Sequence, residues 1–332
     1  LILEIMSDSM KAILISQPGG SEVLTYADTP DPESQPDSLI VRVRATALNR
    51  ADLLQRRGVY PPPPGASPIL GMELAGEVET AVGPWRVGDR VMALVTGGAY
   101  AQKAIVPPGL AMPIPGALSF EQAAAIPEAF LTAHLNLFTL GHLKAGETVL
   151  IHAGASGVGT AAIQLARAAG ARIYVTAGSP EKLDRCRELG ATITINYKTE
   201  SFAERVLAAT GGHGADVILD FIGAAYWEAN MQAIAPSGRL MMIGSMGGTR
   251  AELDLGMIMG KSLTVTGTTL RRYPMPLKTA LVSEFAAFAL PRFEAGELYP
   301  IVDSVFSLSQ AAEAHSVMEA NANVGKIVLR VD

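Results

Sequence analysis

Thr148-Val-Leu-Ile-His-Ala-Gly-Ala-Ser-Gly-Val-Gly159, continuing into Thr160-Ala-Ala-Ile-Gln-Leu-Ala-Arg-Ala-Ala-Gly170, decides the fold. The apolar run 149–151 reads as a buried parallel strand. Gly154, Gly157 and Gly159 predict a tight turn, and Ala161, Ile163, Leu165 and Ala168 supply the apolar positions of the helix that follows. Strand, glycine turn and helix together predict a dinucleotide site. The glycines let the backbone approach a pyrophosphate, and the helix N-terminus offers it unpaired N–H groups and the positive end of a dipole. Ser156 stands where the middle glycine of a G-x-G-x-x-G pattern would fall, so the flanking elements carry as much of the argument as the glycines.

More strand–helix pairs follow. Strands are expected at 173–176, 193–195, 217–219, 240–243 and 262–266, and helices at 160–169, 181–189, 202–209 and 227–234. This alternation builds a parallel sheet covered by helices on both faces. Upstream, 120–125 and 133–140 read as helices. From Met10 to about Gly116 the pattern is one of short strands (11–15, 39–47, 74–79, 87–93) with a short helix near 50–55. Tyr60-Pro-Pro-Pro-Pro-Gly-Ala-Ser-Pro68 predicts an extended loop, because proline lacks the ladder donor and fixes φ. After an amphipathic helix at 276–290, the tail 305–330 reads as strand, helix, strand and is expected to rejoin the first half. The expected organisation is a β-barrel-like domain (10–130 plus 272–332), an inserted doubly wound parallel-sheet domain (131–271) and an extension (1–9) left out of the fold. The ligand site is expected in the cleft between the two domains.

Composition excludes several functions. Hydrophobic residues form 49% of the 332, too many for a disordered chain. No apolar run reaches the roughly 18 residues of a membrane span. Lys and Arg number 26 against 32 Asp and Glu, a net charge of −6 with no basic tract, which argues against nucleic acid as a partner. The one cysteine, Cys186, precludes an internal disulfide, fits a reducing cytoplasm and reads as a helix-packing residue.

Six segments then resemble one superfamily. They are Ala47-Leu-Asn-Arg-Ala-Asp-Leu-Leu-Gln-Arg-Arg-Gly-Val-Tyr60, Pro62-Pro-Pro-Gly-Ala-Ser67, Ala123-Ala-Ala-Ile-Pro-Glu-Ala129, the glycine turn from Ile151 to Gln164, Asp220-Phe-Ile-Gly-Ala-Ala-Tyr-Trp227 and Met318-Glu-Ala-Asn-Ala-Asn-Val-Gly-Lys-Ile-Val328. The chain from Met10 to its end is similar to the medium-chain dehydrogenases/reductases, and within them to the zinc-free quinone oxidoreductases, most of all the p53-inducible branch. The resemblance implies a GroES-like catalytic domain with an inserted Rossmann domain, a hydride-transferring enzyme and a homodimer. The dimer is expected through the outer strand near 262–266, since an open edge rich in Leu, Val and Thr invites pairing.

Zinc dehydrogenases of this superfamily hold a catalytic metal with Cys and His. By the resemblance, Asn49 stands at the first Cys position and Met72 at the His position, and the lobe of four structural cysteines is missing. Zinc needs three or four N, S or O ligands. His134, His142, His152, His213 and His315 fall at unrelated spacings and read as surface or helix-packing residues, so no metal is expected.

The cofactor expected is NADPH. NAD sites place an acid about 20 residues after the glycine turn, to bind the ribose 2′-hydroxyl. Here Ala177 and Gly178 take that place, leaving room for a 2′-phosphate, with a Ser179 hydroxyl and a Lys182 charge beside it. Ser179 also reads as a helix N-cap, and Glu181 is one acid nearby. The resemblance adds Tyr197 near the same phosphate, Ser156, Gly157, Val158 and Gly159 at the pyrophosphate, Ile243 and Gly244 under the nicotinamide, Thr268, Leu270 and Arg271 at the carboxamide, and Asn323 from the C-terminal segment.

A quinone that takes hydride becomes a stabilised hydroquinone anion, so no strong general acid is needed and none is evident. Tyr60 is the polar residue the resemblance sets near the acceptor, to hydrogen-bond its oxygen or stack on its ring; it also reads as a packing residue under the proline loop. Asn49 is a second candidate, as a donor to a carbonyl or ribose oxygen; it also reads as a turn residue. Two alternatives remain: a reductase of enones, alkenals or enoyl thioesters, which would need a positioned acid, and a non-enzymatic protein that binds NADPH in a structural or regulatory role.

Overall fold

The computed structural model describes residues 9–332; the expected extension lies outside them except for Ser9. The chain forms two compact units: one runs to Glu128 and resumes over Pro274–Asp332, the other is Ala129–Tyr273.

The first unit opens with an antiparallel ribbon of β1 (Ser9–Ile15) and β2 (Leu24–Pro30). β3 (Leu39–Ala47) alternates buried residues with half-buried or exposed ones over its first half, as a strand with one face on a core does. α1 (Arg50–Arg56) follows, then β4 (Glu73–Val78), β5 (Arg90–Leu94), β6 (Lys103–Val106), β7 (Ala111–Pro113) and the short α2 (Phe120–Ala124). Between α1 and β4 the proline tract runs without regular structure, as its lack of donors requires.

α3 (Pro127–His134) passes into a π-helical turn, Leu135–Thr139, where the sequence predicts plain helix. The second unit then alternates: β8 (Thr148–Ile151), α4 (Gly157–Ala168), β9 (Arg172–Ala177), α5 (Pro180–Leu189), β10 (Ile193–Asn196), α6 (Phe202–Ala209), β11 (Ala215–Asp220), α7 (Trp227–Ala233), β12 (Ile234–Met242), α8 (Leu255–Gly260) and β13 (Thr264–Gly267). The six strands are parallel, in the order β10-β9-β8-β11-β12-β13. The order reverses between β8 and β11, and ligands of such sheets bind beyond the carboxyl ends of the strands at that point. All four residues of β8 are buried, so the run of four apolar or small side chains has no solvent face to alternate with.

The chain returns to the first unit through α9 (Met275–Glu294), β14 (Val302–Ser307), α10 (Ala311–Glu319) and β15 (Lys326–Arg330). β15 pairs antiparallel with β3 and parallel with β14, which completes a seven-stranded sheet. Its core joins Ile13, Leu39, Val41, Leu74, Val91 and Val106 to Ile327 and Leu329 from the tail.

Candidate active site

In the second unit the predicted nucleotide residues gather at the carboxyl ends of the parallel strands. Ser156 caps α4, its hydroxyl accepting the Gly159 N–H at 3.0 Å. That leaves the N–H groups of Gly157 and Val158, in the first turn of α4, pointing out of the helix without a helical carbonyl to meet. The close fit explains the glycines: a β-carbon at Gly159 would lie 2.4 Å from the Ala153 carbonyl oxygen, and one at Gly154 would lie 2.9 Å from the Val175 β-carbon. At the end of β9, Ser179 caps α5 and accepts the Lys182 N–H at 3.4 Å. The Tyr197 hydroxyl lies directly over Gly178, 2.6 Å from where a β-carbon would be. No acid stands at Ala177 or Gly178; the nearby Glu181 is held ionised, below the usual carboxylate range, by its own backbone N–H and the Ser179 hydroxyl. Ile243 and Gly244 follow β12, with the Ile243 N–H on the Asp220 carbonyl at 2.8 Å. Thr268 follows β13, and Leu270 and Arg271, both buried, form a 3-10 turn just after it.

Three candidate side chains are engaged within the chain instead of being presented to a ligand. The Thr268 hydroxyl donates to Asn136 Oδ1 at 2.9 Å, a buried amide that the π-helical turn presents. Asn323, in the first unit, spends its amide on the Gly325 carbonyl at 2.8 Å. Asn49 donates to Glu73 Oε1 at 2.8 Å and to the Ala47 carbonyl at 3.3 Å, while its Oδ1 accepts from Lys326 Nζ at 2.6 Å. With both amide hydrogens committed, Asn49 has none left for a substrate carbonyl, and the turn reading of this residue is the one its geometry supports. Tyr60 is half-buried at the head of the proline tract, its N–H on the Leu54 carbonyl at 3.3 Å.

The group around Asn49 escaped sequence reasoning. Lys326 is buried, and its ammonium meets three acceptors: Glu73 Oε1 at 2.7 Å, Asn49 Oδ1 at 2.6 Å and the Leu48 carbonyl at 2.5 Å. The other Glu73 oxygen accepts the Glu128 N–H at 2.8 Å. Lys326 and Glu73 are 253 positions apart in the sequence, so no spacing rule pairs them. Two histidines lie in buried polar networks; His315, on α10, keeps a helix-packing place, while His152 departs from the surface or helix-packing reading. His315, buried beside Arg56 and Tyr100, has its pKa pushed down to about 3 by burial and by the Arg56 charge. His152 sits in a second buried polar network, at the end of β8. Cys186 is packed in α5, and burial raises its thiol pKa to about 12, which leaves it no thiolate character at neutral pH.

Residues 35–116 match the family described as alcohol dehydrogenase GroES-like domain, and residues 157–287 the family described as zinc-binding dehydrogenase. The chain is 39% identical to a quinone oxidoreductase of Pseudomonas aeruginosa, over 96% of its own length and 99% of that protein's. The chain belongs to the medium-chain dehydrogenase/reductase superfamily. It is an oxidoreductase with an α/β architecture in which a GroES-like domain accompanies a Rossmann-type parallel sheet. Among solved structures it is similar to a mycobacterial protein in complex with NADPH (TM-score 0.87, 31% identity, 97% of this chain and all of that one). It is also similar to the CurK enoyl reductase (TM-score 0.85, 27% identity, 98% of this chain and all of that one). It is 34% identical to the phthioceranic/hydroxyphthioceranic acid synthase of Mycobacterium tuberculosis, over 96% of its own length and 15% of that protein's.

Zinc, which the second family description names, does not fit these residues. At the two ligand positions taken from the resemblance stand an amide whose hydrogens and oxygen are already bonded and a buried thioether, Met72, and a lysine ammonium occupies the same cluster. Among the described residues no three His, Cys, Asp or Glu side chains converge as a ligand set. A nicotinamide dinucleotide does fit the second unit: the α4 N-terminus and the acid-free end of β9 are the anion-accepting features that it needs.

Proposed function

We propose that the protein is an NADPH-dependent quinone reductase that works without zinc. The observation that carries this reading is the pair of anchors on the second unit: the capped glycine turn at the α4 N-terminus for the pyrophosphate, and Gly178, Ser179 and Lys182 for a 2′-phosphate. Tyr197 over Gly178 borders the second anchor. When bound, NADPH supplies the hydride. The protein's part is to fix the dinucleotide through those backbone N–H groups and to place the acceptor. Tyr60 is the side chain we assign to the acceptor oxygen, by hydrogen bond or by stacking. Asn49 acts at one remove, holding the chain at the start of α1 through Glu73 and Lys326. Sheet order also supports a homodimer: β13 is one of the two outer strands, and Thr264, Val265 and Gly267 on it are exposed. The small-molecule acceptor, the cytoplasmic location and the absence of nucleic-acid and membrane partners belong to the same reading. No described helix is long and apolar enough to cross a membrane.

A second reading, reduction of enones or enoyl thioesters, draws support from the similarity to the CurK enoyl reductase. Steady-state NADPH oxidation with ortho- and para-quinones, alkenals and an enoyl-CoA, assayed side by side, separates the two. Quinones should turn over fastest. Preference for the enoyl-CoA would replace the first reading with the second. Lys182→Ala should raise KM for NADPH about tenfold and leave that for NADH within about twofold, the loss of one charge-assisted contact; equal effects on both would remove Lys182 from the phosphate site.

A further inference from the structure

Ala153, between β8 and the glycine turn, has φ of +48°, a left-handed conformation that an L-residue with a β-carbon adopts at a cost. Strain of this kind persists only where surrounding structure over-determines it. The residue before it supplies that constraint. His152 is fully buried, and its backbone N–H is bonded to the Leu219 carbonyl of β11 at 3.1 Å. Its ring nitrogens meet partners from two further elements, Thr176 Oγ1 of β9 at 3.0 Å and Asn230 Oδ1 of α7 at 2.8 Å. Phe202 and Tyr226 close over the ring edge-on, with centroids 4.7 and 4.8 Å away.

The direction of each bond follows from one end. Asp220 accepts the N–H groups of Ile222 at 2.7 Å and Gly223 at 3.1 Å, as a carboxylate does. Asn230 Nδ2 therefore donates to Asp220, at 3.2 Å, and Asn230 Oδ1 is left to accept. His152 Nε2 must then carry the hydrogen, and Nδ1 accepts from the Thr176 hydroxyl. The imidazole is a neutral spacer of fixed tautomer that ties the carboxyl ends of β8, β9 and β11. Burial favours that neutral form, against the opposing pull of the Asp220 charge. On the far side of Ala153, the Gly154 N–H is held by the Thr176 carbonyl at 2.9 Å, and the Ala153 carbonyl accepts the Ser156 N–H at 2.9 Å. The strained residue is thus gripped from both sides.

We propose that His152 is a positioning residue: its grip on Thr176 and Asn230 holds Ala153 left-handed and so keeps the turn 154–159 in its anion-receiving shape before any ligand arrives. The consequence for cofactor affinity rests on the function proposed above; the grip itself does not. Remove the ring, and Ala153 relaxes toward an ordinary conformation. Put glycine at 153, and the left-handed conformation no longer needs an outside hold.

The test is a cycle of His152→Leu, Ala153→Gly and the double variant, on the full chain. Hydrogen exchange of the segment 152–160, without ligand, reads the turn directly. Titration with NADPH reads the consequence. His152→Leu should speed exchange in that segment and weaken NADPH about tenfold, and adding Ala153→Gly should recover about fivefold of that loss. A variant that merely damages packing would not be rescued by glycine at a neighbouring position. If His152→Leu is insoluble, Thr176→Val removes only the hydroxyl and takes its place in the cycle, with the same signs and smaller changes. Unchanged exchange in His152→Leu, or no rescue by glycine, overturns the proposal. Wild-type protein that shows no NADPH binding, while the exchange results hold, overturns the cofactor reading alone.

Discussion

Replacing Lys326 by methionine should destabilise the first unit far more than the loss of one surface lysine would. The side chain is 5% exposed and its partner Glu73 is 0% exposed. Methionine matches the length of the lysine stem but leaves the Glu73 carboxylate, the Asn49 oxygen and the Leu48 carbonyl without their shared donor. Glu73 keeps two donors, Asn49 Nδ2 and the Glu128 N–H, yet its charge is left unpaired in the interior. Breaking a buried pair from one side costs about 3–5 kcal/mol. For a domain of this size that lowers Tm by roughly 10 °C. The double variant Glu73→Gln/Lys326→Met should recover most of it. Gln at 73 accepts from the Glu128 N–H and donates to Asn49 Oδ1 once that amide flips, and the flip turns Nδ2 from the Ala47 carbonyl toward the place of the lost ammonium. No charge of the pair is then left buried, so the double should lie within about 1.5 kcal/mol of wild type, well short of the sum of the two single costs. Urea unfolding followed by tryptophan fluorescence suits the question, because Trp85 lies in the first unit and Trp227 in the second. A Trp227→Phe background isolates the signal of the unit that carries the cluster. A single-variant cost below about 1 kcal/mol, or strictly additive costs in the double, would refute the reasoning.

Three further outcomes follow. Tyr60→Phe should lower kcat with quinone while leaving the NADPH dissociation constant near its wild-type value, measured by stopped-flow and by fluorescence titration; an unchanged kcat removes the hydroxyl from the mechanism. Gly159→Ala should abolish NADPH binding, since its β-carbon would lie 2.4 and 2.6 Å from the carbonyl oxygens of Ala153 and Gly154; calorimetry showing wild-type affinity would contradict the geometry of the turn. His315 is held neutral, with a folded-state pKa of about 3 against 6.5 for the free side chain, so the unfolded chain binds the extra proton as pH falls. Its stabilising contribution is complete above about pH 6.5 and is lost on descent toward 3, at up to about 1.4 kcal/mol per pH unit, and His315→Gln should flatten that slope in urea melts taken between pH 7 and 4.

What the sequence reveals is governed by how local each signal is. The strands of the parallel sheet are legible because burial on both faces leaves continuous apolar runs, and the helices between them because their caps are local: Ser156, Ser179 and Ser201 each accept an N–H three residues on. β12 begins at Ile234, well before the expected 240, because Pro236, Ser237 and Gly238 look like a break while the backbone passes through them with Ser237 at φ +58°. The short α8, with a glycine at 256 and another at 260, carries no periodicity to detect. The π-helical turn is equally invisible, since its Asn136 takes its partner, Thr268, from 132 residues away. Of the candidate site, the backbone anchors were readable and the side-chain commitments were not. Nothing in the local sequence tells that Asn49, Thr268 or Asn323 spends its polar atoms inside the chain, or that Lys326 closes on Glu73.

These commitments bear on the chemistry. Two of the cations that the first unit buries are met there by their own partners: Lys326 by Glu73, Asn49 and Leu48, and Arg56 by Glu319, the Gly19 carbonyl at 3.1 Å and His315 at 3.2 Å. A charge so fully coordinated has little left to polarise a substrate carbonyl, because doing so would cost it a partner in the interior. In the second unit the groups left for a ligand are those of the backbone. Its helix N-termini present N–H groups that the helices cannot use, and these suit a ligand that is already anionic and does not need to be activated. On the function proposed above, the protein holds its hydride source and, Tyr60 apart, assists the acceptor little. The acceptor must then bring its own electron deficit and must stabilise the charge it gains. A quinone meets both conditions through its ring, whereas a simple aldehyde, left to form a localised alkoxide, meets neither.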